Sequence, residues 1–285
     1  MSLKRAFKRT LRALGFDGVH IGRYLLLMQV VGEPEEPRVG ADPLESYLLE
    51  RTLGDVLRRL EINCVLDVGG NMGQYGLVLR SIGYTGHIVS FEPVSTAFRT
   101  LRGIASHDPK WTAHQWALGA ETTRATIHVT RGTAFSSILA PTAYSVRRFH
   151  ASAPVESEET VAVHRLDEVL PSVIGHIERP RLFLKIDTQG YDLQVFAGAG
   201  GAVESMLGLQ SEVAVIPLYE GAPTMLEALP TYQASGFDLS GLFPVTRDPD
   251  TASVLEYDCL MVRRGSFAAA RVTPLGREAR AGPAR

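Results

Sequence analysis

The chain has 285 residues, 45% hydrophobic and 21% charged, with 29 Lys and Arg against 31 Asp and Glu. That is enough apolar material for one large core or at most two small ones. A net charge of −2 excludes a strongly basic nucleic-acid binder and a highly acidic disordered chain, and the composition excludes collagen-like and coiled-coil architectures.

Residues 1–16 read as a short amphipathic helix, with Leu3, Phe7, Leu11 and Leu14 on one face and Lys4, Arg5, Lys8, Arg9 and Arg12 around the rest. Such a helix can lie on an anionic membrane surface. The favoured expectation is that it covers part of the body or a second subunit. The apolar run 24–28 is far short of the roughly 20 residues that span a bilayer, and no secretory signal follows the basic start. Residues 32–43, rich in Pro, Gly and Glu, read as a linker. Asp42-Pro43-Leu44-Glu45 has the form of a helix start, with Asp as cap and Pro at the first helical position.

From Cys64 the pattern alternates between strand and helix. Strands are expected at 64–68, 87–91, 112–118, 161–164, 182–186 and 212–216, with a further β signal at 125–130. Helices are expected at 77–82 and from a cap at Ser95 to about 104, and residues 131–160 read as irregular. Thr224-Met225-Leu226-Glu227 is a capping box opening a helix that stops near Gly236. Two late β segments, 238–245 and 254–262, read as a closing antiparallel pair. This predicts an α/β fold: a Rossmann-like, doubly wound, mostly parallel sheet with an antiparallel C-terminal strand pair. The chain divides into a basic helix and linker (1–41), a main domain (42–264) and a tail without periodicity (265–285), expected to be disordered. Cys64 and Cys259 lie 195 positions apart in apolar runs. They read as two buried, reduced thiols, which suits a cytoplasmic protein.

The strongest chemical signal is Val65-Leu66-Asp67-Val68-Gly69-Gly70-Asn71-Met72-Gly73-Gln74, a strand, a glycine turn and a helix start. Doubly wound sheets bind adenosine-containing ligands at such turns. The dinucleotide fingerprint G-x-G-x-x-G is not met, because Asn71 and Gln74 stand in the run. A carboxylate at Asp67 would repel a pyrophosphate and attract the ammonium group of S-adenosylmethionine. Glu92, 23 positions after Gly69, ends the second strand at the separation typical of a ribose-binding carboxylate. Trp116-Ala117-Leu118-Gly119 is placed to flank an adenine ring.

At these residues the sequence resembles the FkbM family of S-adenosylmethionine-dependent methyltransferases. The resemblance extends through Phe135-Ser136-Ser137-Ile138-Leu139, Val161-Ala162-Val163-His164-Arg165-Leu166-Asp167, Leu184-Lys185-Ile186-Asp187-Thr188-Gln189-Gly190, Gln210-Ser211-Glu212 and Pro217-Leu218-Tyr219-Glu220-Gly221. These segments stand in family order across residues 62–264. Gly70 departs from the Ala or other small residue common there. The resemblance implies methyl transfer, most often to a hydroxyl of a sugar, glycan or natural-product scaffold of secondary metabolism.

The expected cofactor contacts are Asp67, Gly69, Gly70, Asn71, Gly73, Gln74, Glu92, Ala117, Leu118, Ser137 and Asp187. Asp187, which ends the central strand, and Glu212, at the next strand, are the catalytic candidates. Lys185, on the same strand face as Asp187, favours its charged form, which suits Asp187 to orienting the acceptor or the methionine moiety. His164 and His150 are weaker candidates for a general base. No metal is predicted. A divalent cation held by Asp187, Glu212 and Asp258 stays open as an alternative. An NAD-dependent oxidoreductase or epimerase lacks its expected motifs here, and a non-catalytic cofactor-binding module is a third reading. The acceptor is expected to be a small molecule or glycan, not nucleic acid, and a homodimer is plausible.

Overall fold

The computed structural model describes residues 16–21, 24–29, 43–150, 152–248 and 250–267. The chain divides into two units, 1–38 and 39–285. In the first, β1 (Phe16–Ile21) and β2 (Tyr24–Gln29) form an antiparallel hairpin. This hairpin was not expected. The helix expected over 1–16 lies outside the described residues but for Phe16, which opens β1. The linker (but for Pro43, which opens α1) and the tail from 268 also lie outside them.

The second unit begins with α1 (Pro43–Arg59), which buries Leu53, Val56 and Leu57 at helical spacing. The strands β3 (Cys64–Val68), β4 (His87–Phe91) and β5 (Trp111–His114) run parallel, separated by α2 (Gln74–Ser81) and α3 (Ser95–Ala105). The chain then leaves the sheet for β6 (Ala117–Leu118), β7 (Thr123–Thr130), α4 (Ala143–Arg148) and β8 (Val155–His164). It returns through α5 (Leu166–Ile174) to β9 (Leu182–Ile186), and continues into α6 (Asp192–Gly198) and β10 (Met206–Ala214). It closes with α7 (Met225–Ala234), β11 (Phe237–Arg247) and β12 (Val254–Arg263).

The main sheet has the order β11-β12-β10-β9-β3-β4-β5. β9 pairs in parallel with both β3 and β10, whereas β12 is antiparallel to β10 and β11. The expected doubly wound architecture and antiparallel closing pair are therefore present. One face packs Leu66, Val68, Leu184 and Ile186 against α5, α6 and α7. The other packs Val65, Ile88 and Phe183 against α1, α2 and α3. The chain moves outward from β3 to β5 and then returns to β9 on the other side of β3. The reversal opens a crevice beyond the carboxyl ends of β3, β4 and β9.

Three local expectations are corrected. The strand expected over 112–118 is two strands in different sheets, because β6 pairs with β8 in a separate β6-β8-β7 sheet. That sheet has its own small core, including Val94, Ile127, Val161 and Val163. Ser95 does not cap α3 but is its first residue. The carboxylate there is that of Glu159 on β8, whose Oε2 accepts from Ser95 N at 3.0 Å and Ser95 Oγ at 2.7 Å. Acidic groups favour a helix start whatever their distance in sequence. Residues between Thr130 and Val155, read as irregular, contain α4. The capping box at Thr224 and Glu227 is present. Both cysteines are buried and unpaired, and burial pushes each thiol up to about 12.

Candidate functional site

The turn after β3 passes through left-handed conformations at Gly69 (φ 78°), Asn71 (φ 44°) and Gly73 (φ 97°). Gly69 cannot be replaced quietly, since a Cβ there would fall 1.8 Å from the carbonyl oxygen of Asp187. Gly69 N and Gly70 N both donate to Phe91 O at 3.0 Å, which ties the turn to the end of β4.

Beneath the turn runs a buried polar row. Ser90, Asp67, Lys185 and Gln210 are register neighbours on β4, β3, β9 and β10. Strand alternation sends all four to the face of α1, α2 and α3. Trp111 Nε1 donates to Ser90 Oγ at 3.0 Å, and Ser90 Oγ donates to Asp67 Oδ2 at 2.7 Å. Asp67 Oδ1 faces Lys185 Nζ at 3.2 Å, a charge contact without hydrogen-bond alignment. Lys185 Nζ donates to Gly69 O at 3.1 Å and lies 5.1 Å from the centroid of the Tyr75 ring. Tyr75 Oη donates to Gln210 Oε1 at 2.9 Å. Burial opposes the charge on Lys185, but the charges of Asp67 and Asp187 outweigh it and hold its pKa above the usual lysine range.

The expectation that Asp67 meets an ammonium group is thereby corrected. Its side chain is 0% exposed, paired with Lys185 and absent from the cleft wall. In a five-residue strand buried on both faces, Asp67 shares the parity of Val65 and points under the turn. Gly70 lies over Asp67, Ser90 and Leu101, Gly73 abuts Leu101 and Trp111, and the Gln74 side chain accepts from Met72 N. None of these three lines the cleft either.

The cleft itself encloses about 630 Å³, its open mouth included, within the usual range for small-molecule sites. Of the expected contacts, Gly69, Asn71, Glu92, Ala117, Leu118, Ser137 and Asp187 line it. At one end the Glu92 carboxylate accepts from Asn71 N at 2.8 Å and Val94 N at 2.7 Å. Each oxygen keeps a further lone pair. Burial pushes Glu92 up to about 7 against the pull of those two N–H groups. Beside it Trp116 stacks on His114 at 4.6 Å, and His114 on Phe91 at 5.6 Å. His164 packs on Trp116, His150 is exposed, and neither lines the cleft.

A roof crosses the cleft at residues 133–138. Thr133 Oγ1 donates to Asn71 Oδ1 at 3.1 Å, and Ser137 Oγ donates to Gln189 O at 2.8 Å. Tyr219 Oη lies 3.0 Å from Phe135 O. Thr133, Gln189 and Tyr219 were not among the expected site residues. The segment around 135–139 and those around 189 and 219 stood out in the sequence, but only folding shows that they meet.

At the other end, Asp187 has a side chain 41% exposed, with Oδ2 3.5 Å from Lys185 Nζ. Glu212 lies off this cleft, bordering a smaller hollow with Asp192 and Glu256. Burial, with the charges of Glu256 and Asp187, pushes Glu212 well above the usual carboxylate range. Its burial and its place off the cleft do not suit the catalytic role expected of it. Among the described residues, no group of three or more His, Cys, Asp or Glu side chains is arranged to hold a metal ion. No helix among them is long and apolar enough to cross a membrane.

The cleft lies over a glycine turn beyond the carboxyl ends of the strands, where doubly wound sheets place their ligand sites. The family model described as "Methyltransferase FkbM domain" matches residues 67–239, more than half of the chain. The chain belongs to the FkbM methyltransferase family. No curated protein matches it. Among solved structures, it is similar to magnesium protoporphyrin IX methyltransferase from Synechocystis PCC 6803 with bound SAM. The identity is 9%, the match covers 77% of this chain and 80% of that one, and the TM-score is 0.42. It is also similar to Aeropyrum pernix fibrillarin with natively bound S-adenosyl-L-methionine, at 12% identity, covering 87% and 94% of the two chains with a TM-score of 0.41. For an rRNA methylase from Streptococcus thermophilus the values are 10%, 77%, 96% and 0.40.

Proposed function

We propose that residues 42–264 form an O-methyltransferase domain acting on a hydroxyl of a sugar, glycan or natural-product scaffold. The observation that carries the reading is the placement of carboxylates on both sides of Gly69: Glu92 follows β4 and Asp187 follows β9. The residues present fit S-adenosylmethionine. Glu92 offers two carboxylate oxygens to ribose hydroxyls, and Gly69 leaves room that a Cβ would take. Trp116, Ala117 and Leu118 offer an apolar wall to the base.

When bound, that cofactor supplies an electrophilic methyl group on a sulfonium. The chain's own task is to bring an acceptor oxygen into line with it and to exclude water. Asp187, open to the cleft, accepts a hydrogen bond from the acceptor hydroxyl. Asp187 would orient the acceptor oxygen toward that methyl group, while the hydroxyl proton passes to solvent at the open side of the cleft.

The test compares S-adenosylhomocysteine with NAD by thermal shift, followed by calorimetry on Glu92→Ala. S-adenosylhomocysteine is expected to raise the melting temperature and NAD to leave it unchanged. Glu92→Ala is expected to weaken binding by about 10- to 100-fold, the usual worth of hydrogen bonds to a charged group. A response to NAD alone, or wild-type affinity in the variant, overturns the reading. Mass spectrometry of hydroxylated candidates incubated with a labelled methyl donor then identifies the acceptor.

A further inference from the structure

Gln189 follows the end of β9 by three residues, in a left-handed turn with φ 55° ahead of Gly190 at φ 86°. Its side chain folds back over the strand ends. Nε2 donates to Asp187 Oδ1 at 2.8 Å and to Glu212 Oε2 at 2.9 Å. Both amide hydrogens are thereby used. Oε1 accepts from Tyr219 Oη at 2.7 Å. The reversed amide would set its oxygen against the Asp187 carboxylate, so the network favours this orientation. Tyr219 is 2% exposed and has one hydrogen to give. Its shorter contact is to Gln189, ahead of the 3.0 Å approach to Phe135 O in the roof.

The outcome is a carboxylate held from two sides. Asp187 Oδ1 is fixed by Gln189, and Oδ2 faces Lys185 at 3.5 Å. A carboxylate 41% exposed can be satisfied by water, and exposed charge pairs add little stability. Holding it still serves geometry. The strand order β4-β3-β9 sets Asp187 across Gly69 from Glu92. Both carboxylates line one cleft, so a nucleoside held at Glu92 would extend toward Asp187.

We propose that Gln189, locked by Tyr219, is a positioning residue that fixes the Asp187 carboxylate toward the reacting methyl position, so that the site favours positive charge there. The proposal rests on the methyltransferase reading given above. It differs from a purely structural role, which would weaken every ligand alike.

The test uses two probes, S-adenosylhomocysteine, uncharged at sulfur, and sinefungin, which carries an ammonium-bearing carbon in its place. Calorimetry on the full chain reads the ratio of their dissociation constants. The wild type is expected to prefer sinefungin by about tenfold or more, the worth of a charge-assisted hydrogen bond. Gln189→Leu is expected to reduce the preference to within about threefold, whatever happens to the two absolute affinities. Tyr219→Phe removes a single oxygen and guards against failure of the first variant to fold; it is expected to lower the preference part of the way. An unchanged ratio in either variant, or no preference in the wild type, overturns the proposal and leaves the methyltransferase reading standing. Failure of the wild type to bind either probe overturns both.

Discussion

The two ends of the cleft hold their carboxylates by different means. Glu92 is buried and gripped by the backbone N–H groups of Asn71 and Val94, one in the glycine turn and one just before α3. Asp187 is half open and gripped by side chains, Gln189 and Lys185. Backbone donors belong to any sequence that makes the same turn, whereas side-chain donors depend on the residue at each position. In the proposed methyltransferase the Glu92 end would hold a constant part of the ligand, and the Asp187 end the part that reacts. Both ends stand on the same buried floor, the row Ser90, Asp67, Lys185 and Gln210.

The largest expected effect comes from that floor. Asp67→Ala leaves Lys185 buried without its nearest counter-charge, and breaking a buried pair typically costs about 3–5 kcal/mol. Chemical denaturation should show a loss of that size. A loss below about 1 kcal/mol would mean that the pair does not support the turn.

Acidity sharpens the comparison next. Burial raises Glu92 in the cleft, and Asp192 and Glu256 in the smaller hollow, to about 7, and Asp258 to about 6. These groups hold protons more tightly in the folded chain than in the unfolded one. Their contribution to stability is complete below about pH 4, the unfolded carboxylate range, and is lost as pH rises through 6 to 7. The free protein should melt at a higher temperature at pH 5 than at pH 8, each group adding up to about 1.4 kcal/mol per pH unit between its unfolded and folded values. Glu92→Gln should make the dependence shallower without abolishing it, since Asp192, Glu256 and Asp258 keep their share. A melting temperature that does not fall between pH 5 and pH 8 would count against raised carboxyls in the cleft and in the hollow alike.

The smallest effect is expected at the roof. Thr133→Val removes the hydrogen bond to Asn71 and should cost no more than about 1.5 kcal/mol in a denaturation experiment. Binding of S-adenosylhomocysteine should feel the change through faster release. An equal release rate would leave the roof without a part in holding the Glu92 end closed.

Much of this was legible along the chain. The apolar runs ending in Gly69 and Glu92 mark two neighbouring parallel strands, because a strand buried on both faces must be apolar throughout and must stop where polar groups begin. The Thr224 capping box and the closing β pair were legible for the same local reasons. The 112–118 run was misread because backbone pairing, not residue type, decides which sheet a strand joins. The α3 start was misread because its acidic partner, Glu159, lies 64 residues away.

The sequence by itself determined the fold class, the glycine turn and the carboxylate at Glu92, since each depends on contacts between near neighbours or on simple periodicity. Only the tertiary structure decided that Asp67 lies under the turn and not in the cleft, and that Gln189 joins Asp187, Glu212 and Tyr219. The face a side chain takes depends on the parity and register of adjacent strands, and a hydrogen bond between loops depends on distances that no single segment contains.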